Sequence, residues 1–201
     1  LEVHGYARGV VVEVLGGEGV VMETHAAYVQ GIIGLGGEGV GEIACAVDDP
    51  SQPLLASALT EEHRGKVVIG DINDELGKAL AAKIGENAAY LHFDVSDPDA
   101  CAQAVEFTVS TFGGVDYVLN SAVRMARGWL KDLPLENWNT MVNVGLTGSF
   151  LMTQAAGRWM IDNGRKGSIV NVSSIGGRQP YGMSGAYSTV KAAVIMLAKH
   201  F

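Results

Sequence analysis

Cysteine is scarce in this chain. Cys45 and Cys101 are the only two in 201 residues, and they are too far apart for metal-ligand spacing. That excludes a disulfide scaffold and a zinc knuckle, and two reduced thiols are the default of a cytosolic protein. The five histidines are scattered, and none pairs with another histidine or a cysteine at ligand spacing, so no metal site is expected. Positive charge is also short: 14 Lys and Arg face 22 Asp and Glu, a formal net charge of -8. A nucleic-acid partner needs a basic face and is not expected. No apolar run is long enough for a membrane span, and no basic-then-apolar leader is present, so no membrane partner is expected and the localisation that follows is cytoplasmic. The chain starts at Leu1 rather than Met and stops at Phe201 inside an apolar helical pattern, which suggests ends that are cut or misplaced.

What is present is a hydrophobic content of 48% against only 18% charged residues, enough for one folded α/β domain with a sizeable core. Residues 1–53 form an atypical Gly/Val-rich segment. It has short apolar runs at Val10–Leu15 and Ile32–Leu35 and two copies of Leu-Gly-Gly-Glu-Gly-Val, at Leu15–Val20 and Leu35–Val40. Each copy follows an apolar run and suits either a strand-to-helix turn or a hairpin turn. The turn-rich stretch Asp48–Pro53 separates this segment from residues 54–201, which begin with a short helix at Leu54–His63.

From Lys66 the pattern is regular. Strands are predicted at Lys66–Gly70, Ala88–Phe93, Val115–Leu119 and Ser168–Val172. Between them come a helix capped by Asn73, a helix opened by Asp97-Pro98, and one long helix from about Leu135 to Ile161. A last helix carries Tyr187. Strand–helix alternation of this kind gives right-handed βαβ units and a doubly wound parallel sheet with helices on both faces. Ligands of such sheets bind beyond the C-terminal strand ends, where Asp71, Asp94, Asn120 and Ser173-Ser174 stand.

Tyr187 and Lys191 lie four residues apart, on one face of a helix. A free phenol holds its proton to about pH 10, and a neighbouring ammonium lowers that value. A Tyr beside a Lys⁺ is therefore a proton donor and acceptor suited to neutral pH. Such a pair also arises by chance, and its weight comes from what surrounds it. Ser174 stands thirteen residues before Tyr187 in Asn171-Val172-Ser173-Ser174, and Asn143 lies in Met141-Val142-Asn143-Val144-Gly145-Leu146-Thr147-Gly148. Asn120-Ser121-Ala122-Val123 and Asp94-Val95 complete the set. With these spacings residues 54–201 resemble the short-chain dehydrogenase/reductase family, which has a Rossmann-type fold.

The resemblance implies an NAD(P)-dependent oxidoreductase that moves hydride between a nicotinamide and a secondary alcohol or ketone. By it, Tyr187 is the general acid or base, Lys191 lowers its pKa and holds the nicotinamide ribose, Ser174 holds the substrate oxygen, and Asn143 anchors a relay water. Asp94, Val95 and Asn120 would join Tyr187 and Lys191 in holding the cofactor. An acid at Asp71 favours the ribose diol of NAD over the 2′-phosphate of NADP. A loop position suggests Arg178, Tyr181 and Met183 as pocket residues, and the Asn143 and Tyr187 helices suggest a homodimer or homotetramer. Plainer readings stand beside these: Ser174 as a strand terminator, Asn143 as a local helix polar group, Asp94 as a turn residue and Asp71 as a helix cap.

Three departures from the family pattern stand out. Its glycine-rich phosphate turn should fall near Asp48–Pro53, which has no glycine and two acids. The only candidate, Gly36 to Gly41, comes about a dozen residues early, as an insertion or as a segment foreign to the family. Val123 stands where the family has a glycine. The family also continues past the Tyr187 helix through two more strands and a substrate-covering loop, so a C-terminally incomplete chain is expected. These departures support a second reading, a catalytically impaired binding or oligomerisation fragment.

Overall fold

In the computed structural model the described residues are Val12–Val14, Glu42–Ala44 and residues 65–201 other than Pro180. They form one six-stranded sheet. In chain order its strands are β1 (Val12–Val14), β2 (Glu42–Ala44), β3 (Val67–Asp71), β4 (Ala88–His92), β5 (Tyr117–Asn120) and β6 (Ser168–Val172), arranged β1-β6-β5-β2-β3-β4. Strands β2 to β6 run parallel, as alternation with helices requires. Strand β1 pairs antiparallel with β6, Val12 opposite Val172, and this makes the sheet mixed rather than wholly parallel. The short helix expected at Leu54–His63 and the turn at Asp48–Pro53 lie outside the described residues.

The helices are α1 (Asp74–Ile84), α2 (Pro98–Phe112), α3 (Leu135–Val142), α4 (Gly148–Asp162) and α5 (Gly185–Ala198). Local chemistry sets their starts. The Asn73 side chain accepts the Leu76 N–H at 3.1 Å, and the Asp97 side chain accepts from Asp99 with Pro98 at the first helical position. Strand side chains alternate between faces. Val67 and Ile69 turn to α1 and pack with Leu80 and Ile84. Ile43 is in register with both Val68 and Val118, so those two share the opposite face. There Val118 and Ile169 meet Cys101 and Val105 of α2 and Met152 and Ala156 of α4. Helices therefore cover both faces, as the alternation predicts.

The expected single helix from Leu135 to Ile161 is interrupted. Residues Asn143–Thr147 form a π-helical segment between α3 and α4. A Cβ at Gly145 would come within 2.8 Å of a Val190 methyl, so glycine at this position lets α5 lie directly against the widened turn. A periodicity argument sees only apolar spacing and passes over one wider turn.

Beneath the strand ends lies a buried polar knot. Asn120 Nδ2 faces Asn171 Oδ1 at 2.9 Å, Thr153 Oγ1 at 3.0 Å and the Ser149 carbonyl at 3.4 Å. It fastens β5, β6 and α4 at one point. No described helix is long and apolar enough to cross a membrane. Asn120→Ala should cost about 1–3 kcal/mol, because it strands the partners of a buried amide. Thr153→Val should cost less, since it keeps the volume and the Asn120–Asn171 bond. Urea unfolding of both variants reads the order directly.

Candidate active site

Helix α5 brings Tyr187 and Lys191 together as their spacing requires. Lys191 Nζ sits 6.0 Å from the centre of the Tyr187 ring. Lys191 is 3% exposed and is the one buried basic residue among those described. Its ammonium donates to the Val172 carbonyl at the end of β6, at 2.7 Å. Ser173 Oγ returns the link by donating to the Lys191 carbonyl, at 2.7 Å. Burial pulls the lysine down from 10.5 to about 8, because desolvation penalises the charged form. At pH 7 the side chain is still protonated, so Tyr187 has a cation beside it.

Ser174 follows directly. It is buried, and its Oγ accepts the Gly176 N–H at 3.1 Å in the short turn Ile175–Gly177. A Cβ at Gly177 would lie 2.7 Å from the Lys191 backbone carbon, so the serine loop can lie on α5 only with glycine there. Ser174, Tyr187 and Lys191 are thus carried by β6's end and one helix packed against it.

Asn143 opens the π segment. Its N–H donates to the carbonyls of Asn139 and Thr140, its own carbonyl accepts from Gly148, and the residue is exposed. Asn120 is held in the polar knot under the sheet end. Asp71 ends β3, 4% exposed, and one of its carboxylate oxygens accepts the Asn73 N–H at 2.6 Å. Its neighbourhood is organised by Tyr90, whose hydroxyl donates to the Asp71 carbonyl at 2.8 Å and to Asp74 at 2.9 Å. Asp94 accepts from the N–H and hydroxyl of Ser96, at 2.9 and 2.7 Å, which is the behaviour of a turn residue. Val95 packs on Gly148 of α4. Val123 is buried near Gly145 and is not among the residues with positive φ, so the turn here does without a left-handed position.

A cavity of about 220 Å³ opens over Tyr187. Met125–Arg127 form one wall and Tyr181–Ser184 the other. Tyr181 and Met183 therefore line it as expected, whereas Arg178 does not. Met183 has φ 60, the one non-glycine residue with positive φ among those described. Arg127 was missed by the sequence reading. It belongs to no motif, and only the folded loop reveals where it lies.

The candidate phosphate turn Gly36 to Gly41 lies outside the described residues. Its place in the chain is nonetheless informative. It precedes β2, whereas a phosphate turn must follow the first parallel strand to reach the C-terminal edge. After β2 there is no glycine until Gly65. Gly36 to Gly41, the one candidate the sequence offers, thus stands before β2 in the chain rather than after it.

A doubly wound sheet with five parallel strands, and with a Tyr–Lys pair and a serine at the strand ends, defines a nucleotide-binding oxidoreductase architecture. The short chain dehydrogenase profile matches residues 55–201. A 3-alpha-(or 20-beta)-hydroxysteroid dehydrogenase of Mycobacterium tuberculosis is 41% identical over 134 residues, 67% of this chain and 51% of that protein. NAD⁺-bound xylitol dehydrogenase superposes with a TM-score of 0.63 at 26% identity, over 71% of this chain and 55% of its own. ElxO with NADP bound gives 0.63 at 25%, over 71% and 58%. The chain belongs to the short-chain dehydrogenase family, and it spans about half the length of the curated relative it matches.

The buried lysine has a thermodynamic signature. Between pH 8 and 10.5 the unfolded chain keeps the Lys191 proton and the folded chain has lost it, so stability rises with pH in that window. Below pH 8 both states are protonated and the burial cost is constant. The rise should approach about 3 kcal/mol, and Lys191→Met should remove it. Denaturant midpoints of both proteins from pH 7 to 10.5 check this.

Proposed function

We propose that this chain carries the catalytic core of an NAD(P)-dependent oxidoreductase acting on a secondary alcohol or ketone. The observation that carries the reading is the buried Lys191 ammonium, 6.0 Å from the centre of the Tyr187 ring, which itself lines the cavity. Its charge favours the phenolate and so brings the phenol's proton affinity toward neutrality. In oxidation Tyr187 takes the hydroxyl proton as the carbinol carbon gives up hydride, and in reduction it returns a proton to the carbonyl oxygen. Ser174, fixed at the end of β6, steadies that oxygen as charge develops on it. Lys191 spends one of its three donors on Val172, leaving two for a ribose hydroxyl and a water. Asn143, at the exposed start of the π segment, is the residue we place at that water. When bound, the nicotinamide accepts or supplies the hydride.

The fit of such a cofactor differs along its length. At the adenosine end Asp71 offers a buried carboxylate for a ribose diol and opposes a 2′-phosphate, so we infer NAD in preference to NADP, with Asp94, Val95 and Asn120 at the neighbouring strand ends. At the nicotinamide end Lys191 and Tyr187 fit. In the middle the fit fails: the stretch after β2 has no glycine and carries Asp48 and Asp49, which repel a pyrophosphate. That observation favours the second reading, a chain with an intact proton-transfer centre and poor dinucleotide affinity. Helices α3 to α5 are the surfaces we assign to a homodimer or homotetramer, in the cytoplasm.

NADH titration by fluorescence separates the two readings. Binding, with ketone reduction that falls about 10²–10⁴-fold in Tyr187→Phe, supports the enzyme. A folded chain that binds no NADH is the impaired fragment. If Asp71 sets the preference, Asp71→Ser should narrow the NAD over NADP affinity ratio by roughly tenfold or more, measured as paired dissociation constants for NADH and NADPH.

A further inference from the structure

We propose that the cavity over Tyr187 takes a small substrate bearing a carboxylate near its carbinol or carbonyl carbon, and that Arg127 selects it. This rests on the oxidoreductase reading above and specifies its substrate class. Among the described residues, Arg127 is the one charged residue lining the cavity. Its guanidinium makes no ion pair or hydrogen bond with another described residue, in a chain with 22 acids to 14 bases. Carboxylates are plentiful, and none of the described ones is placed against it. A guanidinium stays charged throughout the working pH range and presents a planar fork that matches a carboxylate.

An exposed arginine is ordinarily just solvated. Here its backbone is fastened on both sides. The Ala126 N–H points at Met141 Sδ, at 3.5 Å, and the Gly128 N–H donates to the Met183 carbonyl, at 3.0 Å. The second bond ties the arginine loop to the opposite wall, through the one non-glycine residue held at positive φ among those described. Met125, Ala126 and Met183 line the same cavity and give it apolar surface, which strengthens a charge pair formed there. At about 220 Å³ the cavity is smaller than the ~300–1,000 Å³ spaces that take drug-sized ligands, and the part of a substrate it holds is the size of a short-chain hydroxy or oxo acid. Its oxygen at Tyr187 and its carboxylate at Arg127 would be fixed together.

The test uses oxopentanoates with the keto group alpha, beta or gamma to the carboxylate, each against its neutral amide, with NADH. The best acid should exceed its amide in kcat/KM by roughly 10- to 100-fold. Arg127→Met should bring that ratio to about one, and Arg127→Lys should keep part of it. Arg124→Met, on the same loop but outside the cavity, should keep all of it. Trp129 lies within 4.0 Å of a Cβ built at Gly182 and reports binding without cofactor. Oxopentanoate should change its fluorescence in the parent chain and not in Arg127→Met. If no ketone turns over, the oxidoreductase reading fails, and the fluorescence titration still decides the anion site. Equal use of acid and amide, or binding indifferent to Arg127, overturns the inference.

Discussion

A positive charge has been taken out of water at Lys191, and much of the site follows from how that is tolerated. The ammonium rests on the Val172 carbonyl, and the lysine's own carbonyl takes the Ser173 hydroxyl. These two bonds lock α5 to the end of β6. They fix Tyr187 on one side and Ser174 on the other, because both neighbours sit on the locked elements. A buried unpaired charge is among the costliest things a core can hold. Retaining one here makes sense where its field is used, and the group within its reach is the Tyr187 phenol.

The rest of the packing serves the same junction. Glycine at 145 lets α5 approach the π segment, and glycine at 177 lets the serine loop approach α5. The Asn120 knot holds β5, β6 and α4 in register beneath them. Two tight approaches at glycine thus seat α5 against the π segment and the serine loop. The residues after β2 carry two acids, Asp48 and Asp49, and no glycine before Gly65.

Much of this was legible in the sequence, and what was not has physical reasons. Val67–Asp71, Ala88–His92 and Ser168–Val172 announce themselves as apolar runs ending in polar residues. Asn73 and Asp97-Pro98 mark helix starts by their own capping chemistry. Tyr187 and Lys191 meet because helical spacing forces them to. The π segment at Asn143 escaped because a single wider turn leaves the apolar spacing almost unchanged. The place of β2 escaped because three residues are too short a run to outweigh a conspicuous glycine cluster just before it. Arg127 escaped because its role depends on two loops meeting, which no local pattern encodes.

The antiparallel strand β1 carries a consequence for how the chain reaches this structure. Its partner β6 lies near the opposite end of the sequence, so Val12 and Val172 close nearly the whole chain into a loop. The βαβ units in between join neighbours in sequence and gain contacts early. The β1–β6 ladder gains nothing until the intervening chain has been ordered, because closure entropy comes before the contacts that reward it. During synthesis from the N-terminus, β1 therefore waits unpaired until β6 has been made.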